Sequence, residues 1–188
     1  MKQQRRAFRE ALPGQDVARF KFVDETSVNR TYTRRYGRAP GGQRVDQPLP
    51  LPNGPNGTVI AALTTRGVEA VMELDGAVNA AAFALYLDQV LGPTRVRGDM
   101  VVSDNLRVHK APGLAELVEK RGARLLFLPP YSPDFTPVEW AFSKLKTFLR
   151  TAQTRIRAAL TAAVRAALDW IGEEDAQNRF HHCGYHVN

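Results

Sequence analysis

Residues 128–140 have the sequence Leu-Pro-Pro-Tyr-Ser-Pro-Asp-Phe-Thr-Pro-Val-Glu-Trp and join an apolar, strand-like run to a predicted helix. Three prolines restrict the backbone before the helix, and Pro137 falls in its first turn, where the fixed φ of proline is favourable. Glu139 therefore comes on the first helical turn, directly after a rigid loop. The stretch therefore places an acidic side chain in a fixed position and marks it as a candidate residue of a functional site.

Two other carboxylates end apolar runs upstream. Asp24 closes the run 19–23, and Asp104 closes the run 100–103. If these runs form adjacent strands and the helix lies nearby, Asp24, Asp104 and Glu139 converge, which is unfavourable unless a cation binds. Carboxylates are the hard oxygen ligands that Mg²⁺ and Mn²⁺ prefer. The three residues are therefore a candidate metal-binding triad and the predicted catalytic residues.

Each carboxylate also has a purely structural interpretation. Asp24, next to Glu25, can be an ordinary acid at a strand end, and Asp104 can cap a turn through its side chain. Residues 136–139 form a Thr-x-x-Glu pattern, so Glu139 can instead serve as the acidic half of a capping box at the helix N-terminus.

Longer motifs surround these carboxylates. They are the segments 22–26 and 36–40, the pair Asp104-Asn105 followed by His109-Lys110, and the segment 125–146. In these motifs the chain resembles the catalytic domain of DDE transposases, most closely the bacterial insertion-sequence family numbered 630 of the Tc/mariner superfamily. Thirty-four residues separate Asp104 from Glu139, the spacing expected from the resemblance. The resemblance extends from about Phe20 to Tyr185.

The resemblance implies an α/β, ribonuclease-H-like fold with a mixed sheet flanked by helices. Residues 18–188 would form the DDE endonuclease domain, and residues 1–17 a loose N-terminal lead-in. Two Mg²⁺ or Mn²⁺ ions are implied, with Asp24 bridging them and Asp104 and Glu139 each holding one. The implied activity is DNA strand cleavage and strand transfer in cut-and-paste transposition into TA dinucleotides. Thr136 departs from the family, which usually has Asn there.

Apolar periodicity and turn residues predict the individual elements. Strands are expected at about 18–24 and 28–36, paired with each other, at 58–63 and 68–72 as a hairpin, and at 99–103 and 124–128. Helices are expected at 79–91, 112–121, 138–150 and 155–171. The proline-rich segment 48–57 is expected to be a loop.

The charge of the chain favours an anionic partner. Lys and Arg outnumber Asp and Glu by 26 to 19, giving a net charge of +7, which suits phosphate contacts. The segment 30–38 alternates arginines with tyrosines, a composition suited to phosphate contacts and base stacking. The candidate DNA contacts are Arg30, Arg34, Arg35, Arg38, Asn105, His109, Lys110, Lys144 and Lys146. The alternatives are a solvated strand, a polar loop-to-helix junction and a solvated helical face.

Other features of the sequence indicate in which cellular compartment the protein is expected. A single cysteine, Cys183, excludes an intrachain disulfide framework and fits a reducing environment. No apolar run approaches the roughly 20 residues of a membrane span, and no secretory signal is evident. His181, His182, Cys183 and His186 match no standard zinc spacing, so the tail is interpreted as a packed terminus. We expect a cytoplasmic bacterial protein, associated with the nucleoid when bound to DNA.

The expected partners are transposon ends and target DNA, bound by a dimer, with a helix-turn-helix recognition module supplied by a separate chain. Two other functions remain open at this point. One is a catalytically inactive DNA-binding remnant or regulator of transposition, and the other is a different ribonuclease-H-like nuclease.

Overall fold

The structure, a computed structural model, describes residues 2–12, 14–51 and 54–186. Its centre is a five-stranded mixed sheet with the spatial order β3-β2-β1-β4-β5. The strands are β1 (Phe20–Val28), β2 (Gly57–Thr64), β3 (Gly67–Asp75), β4 (Met100–Ser103) and β5 (Arg124–Phe127). The first three strands pair antiparallel, whereas β1, β4 and β5 run parallel. The predicted hairpin of β2 and β3 is confirmed, as is the mixed α/β sheet.

Within the described residues, six α-helices accompany the sheet. They are α1 (Lys2–Ala11), α2 (Ala80–Leu85), α3 (Leu114–Glu119), α4 (Pro137–Ala152), α5 (Arg157–Asp169) and α6 (Glu173–His182). The predicted helix 79–91 is α2 followed by one π-helical turn at Tyr86–Val90. None of the helices in the described ranges is long and apolar enough to cross a membrane.

The two faces of the sheet have separate cores, and β1 contributes to both. Phe20 and Phe22 pack with the buried side chains of α4, α5 and α6. Val23 belongs to the opposite core, formed with α2 and α3. Because successive side chains of a strand point to opposite faces, Asp24 is on the face of Phe20 and Phe22, which α4 covers.

The register of β1 and β4 brings two carboxylates to one place. The parallel pairing of these strands ends at Val23 opposite Ser103, and Asp24 and Asp104 are the residues that directly follow this pair. The prediction that Asp24 ends its strand is wrong, because β1 continues along β2 to Val28. Asp24 is the first residue of β1 that no longer has β4 beside it, so its side chain can line a cleft at this point of the sheet.

The strand predicted at 28–36 is wrong. After Val28 the chain is irregular, and the antiparallel partner of β1 is β2. Residues 29–36 are mostly polar or arginine and have no apolar face to bury against the sheet. The predicted loop at 48–57 is irregular up to Gly57, apart from residues 52 and 53, which lie outside the described residues.

Two helices were not predicted. The lead-in is not loose, because α1 packs Phe8 on Phe135 with ring centroids 5.2 Å apart. Near the other end of the chain, α6 buries Phe180 against Phe22, and Tyr185 follows it with 1% of its surface exposed. The packing predicted for the tail is therefore confirmed at Cys183 and Tyr185, and residues 187 and 188 lie outside the described residues.

Candidate active site

The three predicted carboxylates lie around two cavities that share Glu139. Asp24 and Glu139 line a cleft of about 370 Å³. Asp104 and Glu139 line a second cavity of about 640 Å³. Asp24 lies on β1, Asp104 directly follows β4, and Glu139 is in the first turn of α4. The fold thus brings together residues that are up to 115 positions apart in the chain.

The carboxylates disfavour one another's charge. Burial, helped by the charges of Glu25, Asp104 and Glu139, raises the pKa of Asp24 to about 7, although the hydrogen bond from the Glu25 N–H opposes the change. Burial also raises the pKa of Glu139, as does Asp104, although Lys146 opposes the change. An added divalent cation would favour the charged forms of these side chains.

This donor set fits Mg²⁺ or Mn²⁺, both of which prefer carboxylate oxygen ligands. Asp24, Asp104 and Glu139 are the residues that would hold the ions. In the part of the chain that is described, no three His, Cys, Asp or Glu side chains are already grouped as a coordination sphere. One carboxylate oxygen of the triad, Oδ1 of Asp104, is engaged by neighbouring protein groups.

Asp104 is held by two hydrogen bonds to the same oxygen. The backbone N–H of Leu106 lies 3.0 Å from its Oδ1, and Nδ1 of His109 lies 2.5 Å from it. The turn-capping role considered for Asp104 is therefore present, together with its position in the cavity. Burial alone would raise the pKa of Asp104, but the hydrogen bonds from His109 and Leu106 outweigh it and lower the pKa.

The structure does not support the predicted phosphate contact of His109, because its side chain is completely buried. Its Nε2 lies 3.0 Å from Oε2 of Glu25, and its ring packs on Phe83 at 4.2 Å. Burial would lower the pKa of His109, but Asp104 and Glu25 raise it to about 9. His109 therefore connects Asp104 to Glu25, a residue that the sequence interpretation noted only as the neighbour of Asp24.

The capping-box interpretation of Glu139 is not supported. Thr136 is the N-cap of α4, yet its side chain makes no capping hydrogen bond. The N–H of Thr136 donates to the carbonyl of Pro133 at 3.0 Å rather than to Glu139. Only the backbone of Glu139 interacts with the cap, through its N–H and the Thr136 carbonyl at 3.2 Å. The side chain lines both cavities instead.

The loop that delivers Glu139 is anchored from both ends of the chain. Arg5 of α1 donates to the carbonyl of Tyr131 at 3.2 Å and forms a two-oxygen ion pair with Asp134. Tyr185 donates from its hydroxyl to the carbonyl of Phe135 at 2.8 Å. These contacts fix the start of α4 relative to the sheet.

Comparison with known proteins agrees with this geometry. Residues 19–161 match the family model of the DDE superfamily endonucleases. The chain belongs to the DDE superfamily of endonucleases. A comparison with curated proteins gave no match.

Solved structures show which fold this DDE endonuclease adopts. The Mos1 strand transfer complex has a TM-score of 0.77 at 20% identity and is matched over 96% of this chain. The Mos1 paired-end complex with the left transposon end has a TM-score of 0.78 at 18% identity, again over 96% of this chain. This chain spans 56% of the Mos1 chain in each complex.

The structure of the Mos1 mariner transposase catalytic domain alone is matched over 84% of its own length and 96% of this chain. Its TM-score is 0.68 at 14% identity. The likeness shows that the DDE endonuclease has the ribonuclease-H-like fold of that catalytic domain.

Several predicted basic and polar contacts of the endonuclease face the cavities. Lys146, one of the predicted contacts, lines the cleft with Asp24 and Glu139, and Arg150 of the same helix lines it as well. Asn105 and Lys110 line the second cavity. Lys144 does not share this position, because it forms an ion pair with Asp175 and lies 4.3 Å from the ring centre of Trp170. The position of Lys144 outside both cavities gives no support to its predicted DNA contact, which stays a prediction.

The arginine-rich segment begins next to the cleft. Arg150 lies 5.9 Å from the ring centre of Tyr32, and Arg155 donates to the carbonyls of Arg30 and Tyr32 at 3.1 and 2.8 Å. These contacts fix the start of the segment at the rim of the site. The predicted contacts that follow it are exposed: Arg34, Arg35 and Arg38.

Proposed function

We propose that this DDE endonuclease is the catalytic domain of a transposase, which cleaves DNA strands at transposon ends and joins the freed 3′ hydroxyl to target DNA. The observation that carries the proposal is the meeting of Asp24, Asp104 and Glu139 around two cavities that also contain Lys110 and Lys146. The carboxylates suit divalent ions, and the lysines suit the phosphates of the substrate.

The proposed chemistry assigns a task to each group. Two bound Mg²⁺ or Mn²⁺ ions would supply an activated attacking oxygen and a stabilised leaving oxygen. Asp24, Asp104 and Glu139 would hold the ions, and Lys110 and Lys146 attract the DNA backbone. Structures of Mos1 paired-end complexes with Mn and with Mg support the choice of metals.

The proposal includes a dimer on DNA, supported by the paired-end and strand transfer complexes of the structurally similar Mos1 transposase. The separate helix-turn-helix module predicted for end recognition and the TA target preference belong to the same proposal. The basic net charge of the chain and the exposed arginines beside the cleft support binding to DNA. The bacterial cytoplasm is the location that belongs to the same proposal.

Nicking of supercoiled plasmid and of pre-nicked duplex DNA in Mg²⁺ or Mn²⁺ tests the proposal. Glu139→Gln and Asp24→Asn are expected to reduce cleavage to background, because each removes a charged metal ligand. Glu174→Gln, an equivalent change on the exposed surface of α6, is the matched control and is expected to cleave normally. Circular dichroism melts show whether each variant is folded.

Two results would contradict the proposal. Equal cleavage by wild type and by folded Glu139→Gln would place the chemistry elsewhere. DNA binding without cleavage by the wild-type chain, in either metal and on either substrate, would favour the inactive remnant or regulator.

A further inference from the structure

Tyr131 is an exposed aromatic side chain in a loop that buries Leu128, Ser132 and Phe135. The exposed fraction of Tyr131 is 87%, whereas that of Leu128, Ser132 and Phe135 in the same loop is 6% or less. An aromatic ring stabilises a contact mainly through the large apolar area that it buries. Its exposure in a loop that prolines restrict leaves the ring accessible to a ligand.

The backbone holds this ring in an uncommon conformation. Tyr131 has φ of +54°, in the left-handed region that glycine adopts freely and bulky residues avoid. Positions of this kind persist where surrounding structure enforces them, and they cluster at functional sites. Here the enforcement comes from Pro129 and Pro130 on one side, and from Arg5, which donates to the Tyr131 carbonyl.

The ring lies at the catalytic cavity. Tyr131 lines the 640 Å³ cavity together with Asp104, Lys110 and Glu139. Trp140, another exposed aromatic residue near Glu139, packs edge-on against His182 at 4.4 Å and is not among the residues lining this cavity. Of these two rings, Tyr131 is the one placed next to both the carboxylates and a cation.

The chemistry of the position selects its ligand. A flat, exposed ring beside a lysine and the proposed metal-binding carboxylates suits a group that is aromatic and attached to a phosphate, which describes a nucleotide. Aromatic side chains stack on any base, because every base has a π-face. We propose that Tyr131 stacks on an unpaired or unstacked nucleobase next to the phosphate held at Asp24, Asp104 and Glu139. This inference rests on the proposed function.

Binding of a defined DNA probe tests the stacking role. The probe is a nicked duplex with two unpaired adenines at the nick, one replaced by 2-aminopurine, studied in Ca²⁺ to limit cleavage. Tyr131→Phe keeps the ring and is expected to bind within about twofold of wild type. Tyr131→Ala and Tyr131→Gly are expected to lose about tenfold in affinity and the quenching of 2-aminopurine. The same two variants should lose less affinity for a fully paired duplex.

The glycine variant separates stacking from folding. Glycine relieves the positive φ, so a purely structural role predicts that Tyr131→Gly is at least as good as Tyr131→Ala in both melting temperature and DNA binding. The stacking role predicts a stable Tyr131→Gly protein that has nonetheless lost the affinity and the quenching. Trp170→Ala, which removes an exposed ring away from the cavities, is the control and is expected to bind like wild type.

The outcomes separate this proposal from the proposed function. Wild-type affinity and quenching in Tyr131→Ala, in a chain that binds and nicks DNA, would overturn the stacking role alone. A wild-type chain that neither binds nor nicks DNA would overturn both.

Discussion

At the scale of single residues, His109 determines how Asp104 is presented. Its two ring nitrogens contact two carboxylates, Asp104 at 2.5 Å and Glu25 at 3.0 Å, and its burial excludes contact with DNA. Groups that hydrogen-bond a metal-ligating carboxylate orient it, and their loss typically costs about 10- to 100-fold in metal affinity or activity. His109 is therefore a positioning residue of the proposed metal site.

Asparagine and glutamine at position 109 separate its two contacts. The amide nitrogen of Asn can replace Nδ1, which faces Asp104, whereas that of Gln can replace Nε2, which faces Glu25. We expect His109→Ala to raise the Mn²⁺ concentration for half-maximal nicking about 10- to 100-fold, and His109→Asn to recover more of the loss than His109→Gln. Binding of Mn²⁺ measured by electron paramagnetic resonance provides a readout independent of cleavage. An unchanged Mn²⁺ requirement in a folded His109→Ala protein would contradict this role.

The residues of the site differ in how far the sequence could predict them. Asp24 and Asp104 follow from apolar runs, because a parallel strand pair with this register brings the residues after it together. Predicting Glu139 also required the rigid loop before it and the spacing from Asp104 that the family resemblance implies. The contact of His109 with Glu25 joins residues 84 positions apart inside a packed core, and no local pattern encodes it. Local charge patterns also could not show that Asp175 engages Lys144.

At the scale of elements, predictions succeeded where apolar side chains recur with a regular period. The hairpin of β2 and β3 and the long helix α4 both have such patterns. By contrast, α1 has no buried residue and α6 buries only two, so neither has an apolar stripe that sequence analysis would detect. Contacts distant in sequence stabilise them instead: α1 through Asp134, and α6 through Phe22.

The ion pair of Arg5 and Asp134 provides a test of how α1 is held. The hydrogen bond from Arg5 lowers the pKa of Asp134. Because the pKa in the folded state is below its unfolded value of about 3.9, this pair stabilises the fold above that pH. The contribution is lost as the pH falls through the lower, folded value.

A double-mutant cycle of Arg5→Gln and Asp134→Asn, measured by urea unfolding, is therefore expected to show favourable coupling at pH 7 and weaker coupling at pH 3. Both groups are partly solvated, so added salt should also weaken the coupling. Arg6→Gln with Glu10→Gln, an exposed pair within α1 itself, is the control for a local helix effect. Coupling that is equal at both pH values would show that charge does not hold α1 on the loop.

At the scale of the whole molecule, charge is divided unevenly. The chain is basic, with a net charge of +7, yet its candidate site combines Asp24, Glu25, Asp104 and Glu139. A surface that attracts DNA phosphates thus surrounds a centre that repels them. The same centre should attract divalent cations, which would remove the repulsion within the site and towards the phosphate. Metal binding is therefore expected to affect the stability of the protein as well as its activity.

Thermal unfolding with and without Mn²⁺ tests this link between metal and fold. At a Mn²⁺ concentration about 100 times the dissociation constant, binding to the folded state alone should raise the Tm by about 5–10 °C. Glu139→Gln removes one repelling charge and one ligand, so without metal its Tm should equal or exceed that of wild type, while its rise with Mn²⁺ should be smaller. Glu174→Gln and NaCl of matched ionic strength are the controls. Equal rises with Mn²⁺ in wild type and Glu139→Gln would mean that the ion stabilises the protein somewhere other than the proposed site.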